Sequence, residues 1–117
     1  MSLHNRIDYF ELPANDLTAA RRFYSGAFDW NFKDYGPSYA GFAYSGADRE
    51  AGGISSDADH TRSPLAILYS DHLELSEERV RSAGGKIVKP IFPFPGGRRF
   101  HFTDPSGNEL AVWSRND

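Results

Sequence analysis

The segment from Arg99 to Trp113 constrains the fold most, because it can be read in only one way: strand, tight turn, strand. Asp104-Pro105-Ser106-Gly107 carries the chemistry of a β-turn. Asp bonds the backbone ahead of it, Pro presets φ, and Gly tolerates positive φ. The runs on either side are rich in aromatic and branched residues, as hairpin strands are. A second anchor lies at residues 7–24. Together the two suggest where a binding surface lies.

The rest of the chain follows from spacing. Residues 7–12 read as a strand with Tyr9 and Glu11 on one face and Phe10 and Leu12 on the other. Pro13 ends it. Asn15 or Asp16 can cap a helix over residues 17–28, where Leu17, Ala20, Phe23, Tyr24 and Ala27 recur at helical intervals. Strands are expected at 30–35, 39–44 and 51–54, the last with Gly52-Gly53 permitting close approach of another group. Residues 55–63, with Asp57, Asp59 and His60, form a polar linker. The order then recurs. A strand at 65–69 precedes a helix starting near Leu73 and closed by Gly84-Gly85. A strand at 86–89 comes next, and residues 90–97, with three prolines, belong to an edge or a loop. The hairpin completes the second half. Each half reads strand, helix, three strands. The halves share little sequence, so the repeat is one of element order.

Composition narrows the function classes. A chain of 117 residues is one domain, able to bury a core. Its charge of −3, from sixteen acids and thirteen bases, carries no basic stripe for nucleic acid or for a membrane surface. There is no cysteine, so disulfides, zinc–thiolate sites and a cysteine nucleophile are excluded. No run approaches the ~18 apolar residues of a membrane span, and no signal pattern opens the chain. The expected location is cytoplasmic. No phosphate-binding glycine loop and no Gly-x-Ser-x-Gly elbow is present.

Asp16-Leu17, Arg22-Phe23-Tyr24 and Phe28-Asp29-Trp30 in the first half, with Ala83-Gly84-Gly85 and Phe102-Thr103-Asp104-Pro105-Ser106-Gly107-Asn108 in the second, resemble the vicinal-oxygen-chelate superfamily. That group holds glyoxalase I, bleomycin-resistance proteins and extradiol dioxygenases. Tyr9-Phe10-Glu11-Leu12-Pro13 and Ala51-Gly52-Gly53-Ile54 are similar to a bacterial glyoxalase-like subgroup. The resemblance implies an α+β fold over residues 1–117. Two βαβββ modules, about 5–56 and about 63–115, would form a curved mixed sheet around a cleft, with helices on the outer face. It implies either a homodimer or two modules that close a cleft within one chain.

Family enzymes hold a divalent metal with His or Gln, Glu and His. Carried over one at a time, those positions fall on Tyr9, Leu65 and Ala111, with the remaining one near Gly53. Leu, Ala and Gly cannot ligate, and a neutral Tyr does so poorly. No metal and no other cofactor is therefore expected. The expectation is a metal-independent protein that binds a small molecule, with Tyr9, Glu11, Tyr39, Phe42, His101, Glu109 and Trp113 as its contacts. The alternative is a lyase, isomerase or dioxygenase that uses Glu11 or Glu109 as base or atypical metal ligand. Glu11 is the candidate catalytic residue, because a desolvated carboxylate on an inner face is how a general base is tuned. The plainer role for Glu11 is pairing with Arg98, Arg99 or Lys89. Arg98 and Arg99 have opposite parity, so only one faces inward, where it would favour an anionic ligand. A lone strand histidine such as His101 is more often a hydrogen-bonded structural residue than a ligand.

Overall fold

The computed structural model describes residues 3–57 and 63–116. Its elements run β1 (Arg6–Pro13), α1 (Leu17–Phe28), β2 (Asn31–Asp34), β3 (Tyr39–Ala43), β4 (Gly52–Ser55), β5 (Leu65–Tyr69), α2 (Leu73–Ser82), β6 (Lys86–Phe94), β7 (Gly97–Thr103) and β8 (Glu109–Arg115). This is the expected α+β order: strand, helix and three strands, twice. The chain forms two compact units. One is Tyr9–Pro64; the other joins the residues through Asp8 to residues 65–117. Of the expected polar linker, Asp59 and His60 lie outside the described residues.

In the Tyr9–Pro64 unit the strand order is β2-β3-β4-β1. β4 runs parallel to β1 and antiparallel to β3. A parallel pair needs a long crossover, and α1, β2 and β3 supply it. Asp16 caps α1 by accepting the Ala19 N–H at 3.1 Å. Asp29 ends it in the left-handed region at φ 59°. No residue of α1 is buried. The helix is tied to the sheet by a stack: Tyr24 lies 4.7 Å from Trp30, and Trp30 lies 4.3 Å from Phe42. This stack explains one departure from expectation. Trp30 turns onto the helix, so β2 begins at Asn31. α1 packs along β4, and Phe10 of β1 is 43% exposed.

In the second unit the order is β5-β8-β7-β6. α2 packs on β6, β7 and β8 through a core of Leu73, Phe100 and Val112. Leu68, Val80, Ile87, Ile91 and Phe102 surround it. Fully burying an apolar side chain such as Leu73, Phe100 or Val112 contributes about 1.5–3 kcal/mol. β6 continues through its prolines to Phe94 as the edge strand, with register shifts after Ile87 and Lys89. An edge strand has one side without ladder partners, so a missing N–H there costs no pairing. The turn after β7 forms as its residues dictate. The Asp104 carboxylate accepts the N–H groups of Ser106 and Asn108, each at 2.9 Å, and Gly107 takes φ 88°.

Candidate functional site

Among the described residues, each unit carries a cluster of buried or half-buried ionisable and hydroxyl side chains on its strands. In the Tyr9–Pro64 unit the cluster grows from strand register. Glu11 of β1 stands beside Gly53 of β4, which stands beside Gly41 of β3 and then Lys33 of β2. Two adjacent positions in this row thus lack side chains, and neighbouring groups lie across them. A Cβ on Gly53 would sit 2.0 Å from the Tyr39 hydroxyl, and one on Gly41 would sit 1.9 Å from a Glu50 carboxylate oxygen. Glycine at both positions is what admits these groups.

The admitted groups form a continuous hydrogen-bonded line. Tyr35 donates its hydroxyl to Glu50 Oε1 at 2.8 Å, and Tyr9 donates to Glu50 Oε2 at 3.0 Å. The Tyr9 and Tyr39 hydroxyl oxygens are 3.2 Å apart, and Tyr39 donates to Glu11 Oε2 at 3.1 Å. Glu11 is 6% exposed. The Tyr9 phenol is pushed far above its ordinary range, chiefly by burial and then by Tyr39 and Glu50. Glu50 likewise raises Tyr35. Both therefore stay neutral donors at physiological pH.

The second cluster, in the other unit, is organised around His101, 1% exposed. Arg99 donates to His101 Nε2 from Nε at 3.0 Å, with Nη2 2.9 Å away. Guanidinium nitrogens only donate, so Nε2 must accept. The ring proton is then on Nδ1, 2.9 Å from Glu109 Oε2. The imidazole is neutral and locked in one tautomer. Burial lowers its pKa most; the Glu109 hydrogen bond opposes this, and the charges of Arg99 and Lys89 add to it. The Arg99 guanidinium lies 5.8 Å from the ring centres of both Phe92 and Phe94. Arg98, of opposite parity, turns to the α2 side and pairs with Glu74.

Tyr9, Glu11 and Tyr39 are thus brought together, as are His101 and Glu109. Trp113 donates its indole N–H to Asp8 at 3.1 Å and sets its ring edge-on to Tyr69. Phe42 needs correcting. Expected with Tyr39 among the small-molecule contacts, it lies on the opposite face of β3, 2% exposed and stacked on Trp30. Successive strand side chains alternate faces, so positions 39 and 42 cannot share one. Sequence reading missed Glu50 and Tyr35. The signal that could have found them is the pair Gly41 and Gly53, a gap that some side chain had to fill. A recess of about 390 Å³ lies elsewhere in this unit, lined by Arg21, Arg22, Ser25, Trp30, Asn31 and Phe32.

Two successive βαβββ modules with polar groups on their strand faces define a class, and comparison with known proteins gives the family. Residues 6–112 match the model of the Glyoxalase/Bleomycin resistance protein/Dioxygenase superfamily, and the chain belongs to that superfamily. It is 25% identical over 118 residues to a protein provisionally named glyoxylase CFP32 in Mycobacterium bovis and in Mycobacterium tuberculosis. The match takes in 93% of this chain and 45% of each relative, so the chain spans about half their length. Its fold is shared with the Mn(II)-bound glyoxalase from Novosphingobium aromaticivorans, at TM-score 0.71 and 24% identity over 100% of this chain and 43% of that one. It is also shared with methylmalonyl-CoA epimerase from Mycobacterium tuberculosis, at TM-score 0.73 and 16% identity over 100% and 92%.

Proposed function

We propose that this chain binds a small organic molecule without a metal, in the manner of the ligand-sequestering members of its superfamily. One observation carries the reading. The positions where the family resemblance puts metal ligands are occupied by groups that do not fit one. Leu65 is 1% and Ala111 0% exposed, both hydrocarbon. Gly53 has no side chain, and the Tyr9 hydroxyl is engaged by Glu50 and Tyr39. His101 cannot replace them as it stands, because the Nε2 lone pair accepts from Arg99. Among the described residues, no three His, Cys, Asp or Glu side chains group so as to hold a metal ion. Tyr39 and Glu11 supply polar contacts for the ligand from the Tyr9–Pro64 unit. His101, Glu109 and Trp113 are the corresponding candidates in the other unit.

Elemental analysis of purified protein, followed by melting with added Mn(II), Ni(II) or Zn(II), tests this. No stoichiometric metal and no metal-dependent shift are expected, while an aromatic small-molecule panel should contain compounds that raise the melting temperature. One transition metal per chain, lost in Glu11→Gln or Glu109→Gln, would overturn the reading.

A specific observation favours a second reading, in which Glu11 is the base of a lyase or isomerase. It is a buried carboxylate hydrogen-bonded to a phenol. Glu11→Gln should then abolish turnover and leave folding intact; an unchanged rate removes Glu11 as the base. A homodimer in the cytoplasm completes the proposal. The prevalence of two-fold symmetry among oligomers supports the pairing, and the lack of cysteine suits a reducing compartment. A monomer by light scattering would rule the pairing out.

A further inference from the structure

The line Tyr35, Glu50, Tyr9, Tyr39, Glu11 has four hydrogen-bonded links between five side chains. Three phenols contribute three protons. When both carboxylates are ionised, the four links share three protons, and the deficit falls between Tyr9 and Tyr39. A single added proton on either carboxylate fills all four. A proton on Glu50 turns both inner phenols to donate toward Glu11, and a proton on Glu11 turns both to donate toward Glu50, because each hydroxyl both donates and accepts.

We infer that Glu50, Tyr9, Tyr39 and Glu11 form a proton-transfer row connecting the half-buried Glu50 to the buried Glu11. In one direction the Glu50 carboxyl gives its proton to Tyr9, Tyr9 gives its own to Tyr39, and Tyr39 gives its own to Glu11. Three O–H bonds break and three form. Glu50 ends as the carboxylate, Glu11 as the carboxylic acid, and both phenols are neutral before and after. The reverse shift empties Glu11 toward solvent, where the 50%-exposed Tyr35 steadies the other Glu50 oxygen. Burial makes a free Tyr9 phenolate costly, which favours a concerted shift over a charged intermediate. Lys33 stands at the β2 end of the register row, its ammonium 5.3 Å from the centre of the Tyr35 ring. The glycines at 41 and 53 are needed because the row crosses the sheet where side chains would otherwise stand. Such a row serves a ligand that gains or loses a proton at Glu11. It extends the binding proposal and does not depend on whether a metal is present.

The experiment is solvent exchange of the Tyr39 hydroxyl proton in the full chain, read by the H/D isotope shift on the tyrosine Cζ carbon in labelled protein. A relay predicts that Glu50→Gln and Tyr9→Phe each slow this exchange by about tenfold or more, since removing one partner in proton transfer typically costs that much. Tyr35→Phe, outside the transfer path, should leave the rate within about twofold on the same scale. If Tyr9 merely packs, Tyr9→Phe loosens the site and exchange becomes faster. Unchanged or faster exchange in Glu50→Gln, whose amide keeps the shape and one of the two acceptor oxygens, overturns the inference even if Tyr9→Phe fails to fold.

Discussion

The two units share an order of elements and differ in how they hold polar groups away from water. In the Tyr9–Pro64 unit, phenols stand between two carboxylates, and hydroxyls can reverse their donor sense. In the other unit, Arg99 and Glu109 grip His101 from both sides, and a guanidinium cannot accept, so the proton pattern is fixed. The helices differ likewise. α2 anchors a dry core of Leu73, Phe100 and Val112, whereas α1 buries none of its own residues and reaches the sheet through stacked rings. The same topology therefore leaves chemistry to the side chains.

The largest expected effect tests the difference between the helices. Phe100→Ala should cost about 3–5 kcal/mol in urea unfolding, while Phe23→Ala, at a ring 59% exposed on α1, should stay within about 0.5 kcal/mol. Equal losses would mean that α1 is packed as firmly as α2.

His101 tests the fixed cluster. His101→Gln should cost about 1–3 kcal/mol, because Glu109 and Arg99 lose a buried partner. The pH dependence has a definite sign. The folded-state pKa is lowered from the ordinary 6.5, so below that value the unfolded chain binds more protons than the native one. The stability contribution is complete above 6.5 and falls as pH drops toward the folded value, by at most about 1.4 kcal/mol per pH unit. Urea midpoints between pH 7 and pH 5 should decline in the native protein and decline less in His101→Gln. An opposite slope would show a protonated imidazole in the fold.

Gly53→Ala tests the exchangeable row. The added methyl displaces the Tyr39 hydroxyl and should cost about 1–3 kcal/mol. Gly41→Ala should cost less, because a flexible Glu50 side chain can swing away. The smallest effect is at the helix cap: Asp16→Ala should lose about 1 kcal/mol, measured by thermal or urea unfolding.

Local chemistry made much of this legible. The Asp16 cap, the Asp104–Gly107 turn, the edge character of a proline-rich strand and the doubled element order each depend on residues close in the chain, and each forms as read. Even the misplacement of Phe42 broke a local rule, since strand parity alone separates it from Tyr39. Glu50 and Tyr35 were signalled only indirectly, by the gap that Gly41 and Gly53 leave. Glu50 follows a turn, and nothing near it in sequence marks it. It meets Tyr9 across 41 residues because three strands pair in one register and two glycines fall side by side. Which hydroxyl meets which carboxylate is set by that pairing, and pairing is a property of the folded sheet, where partners far apart in the chain become neighbours less than 5 Å apart.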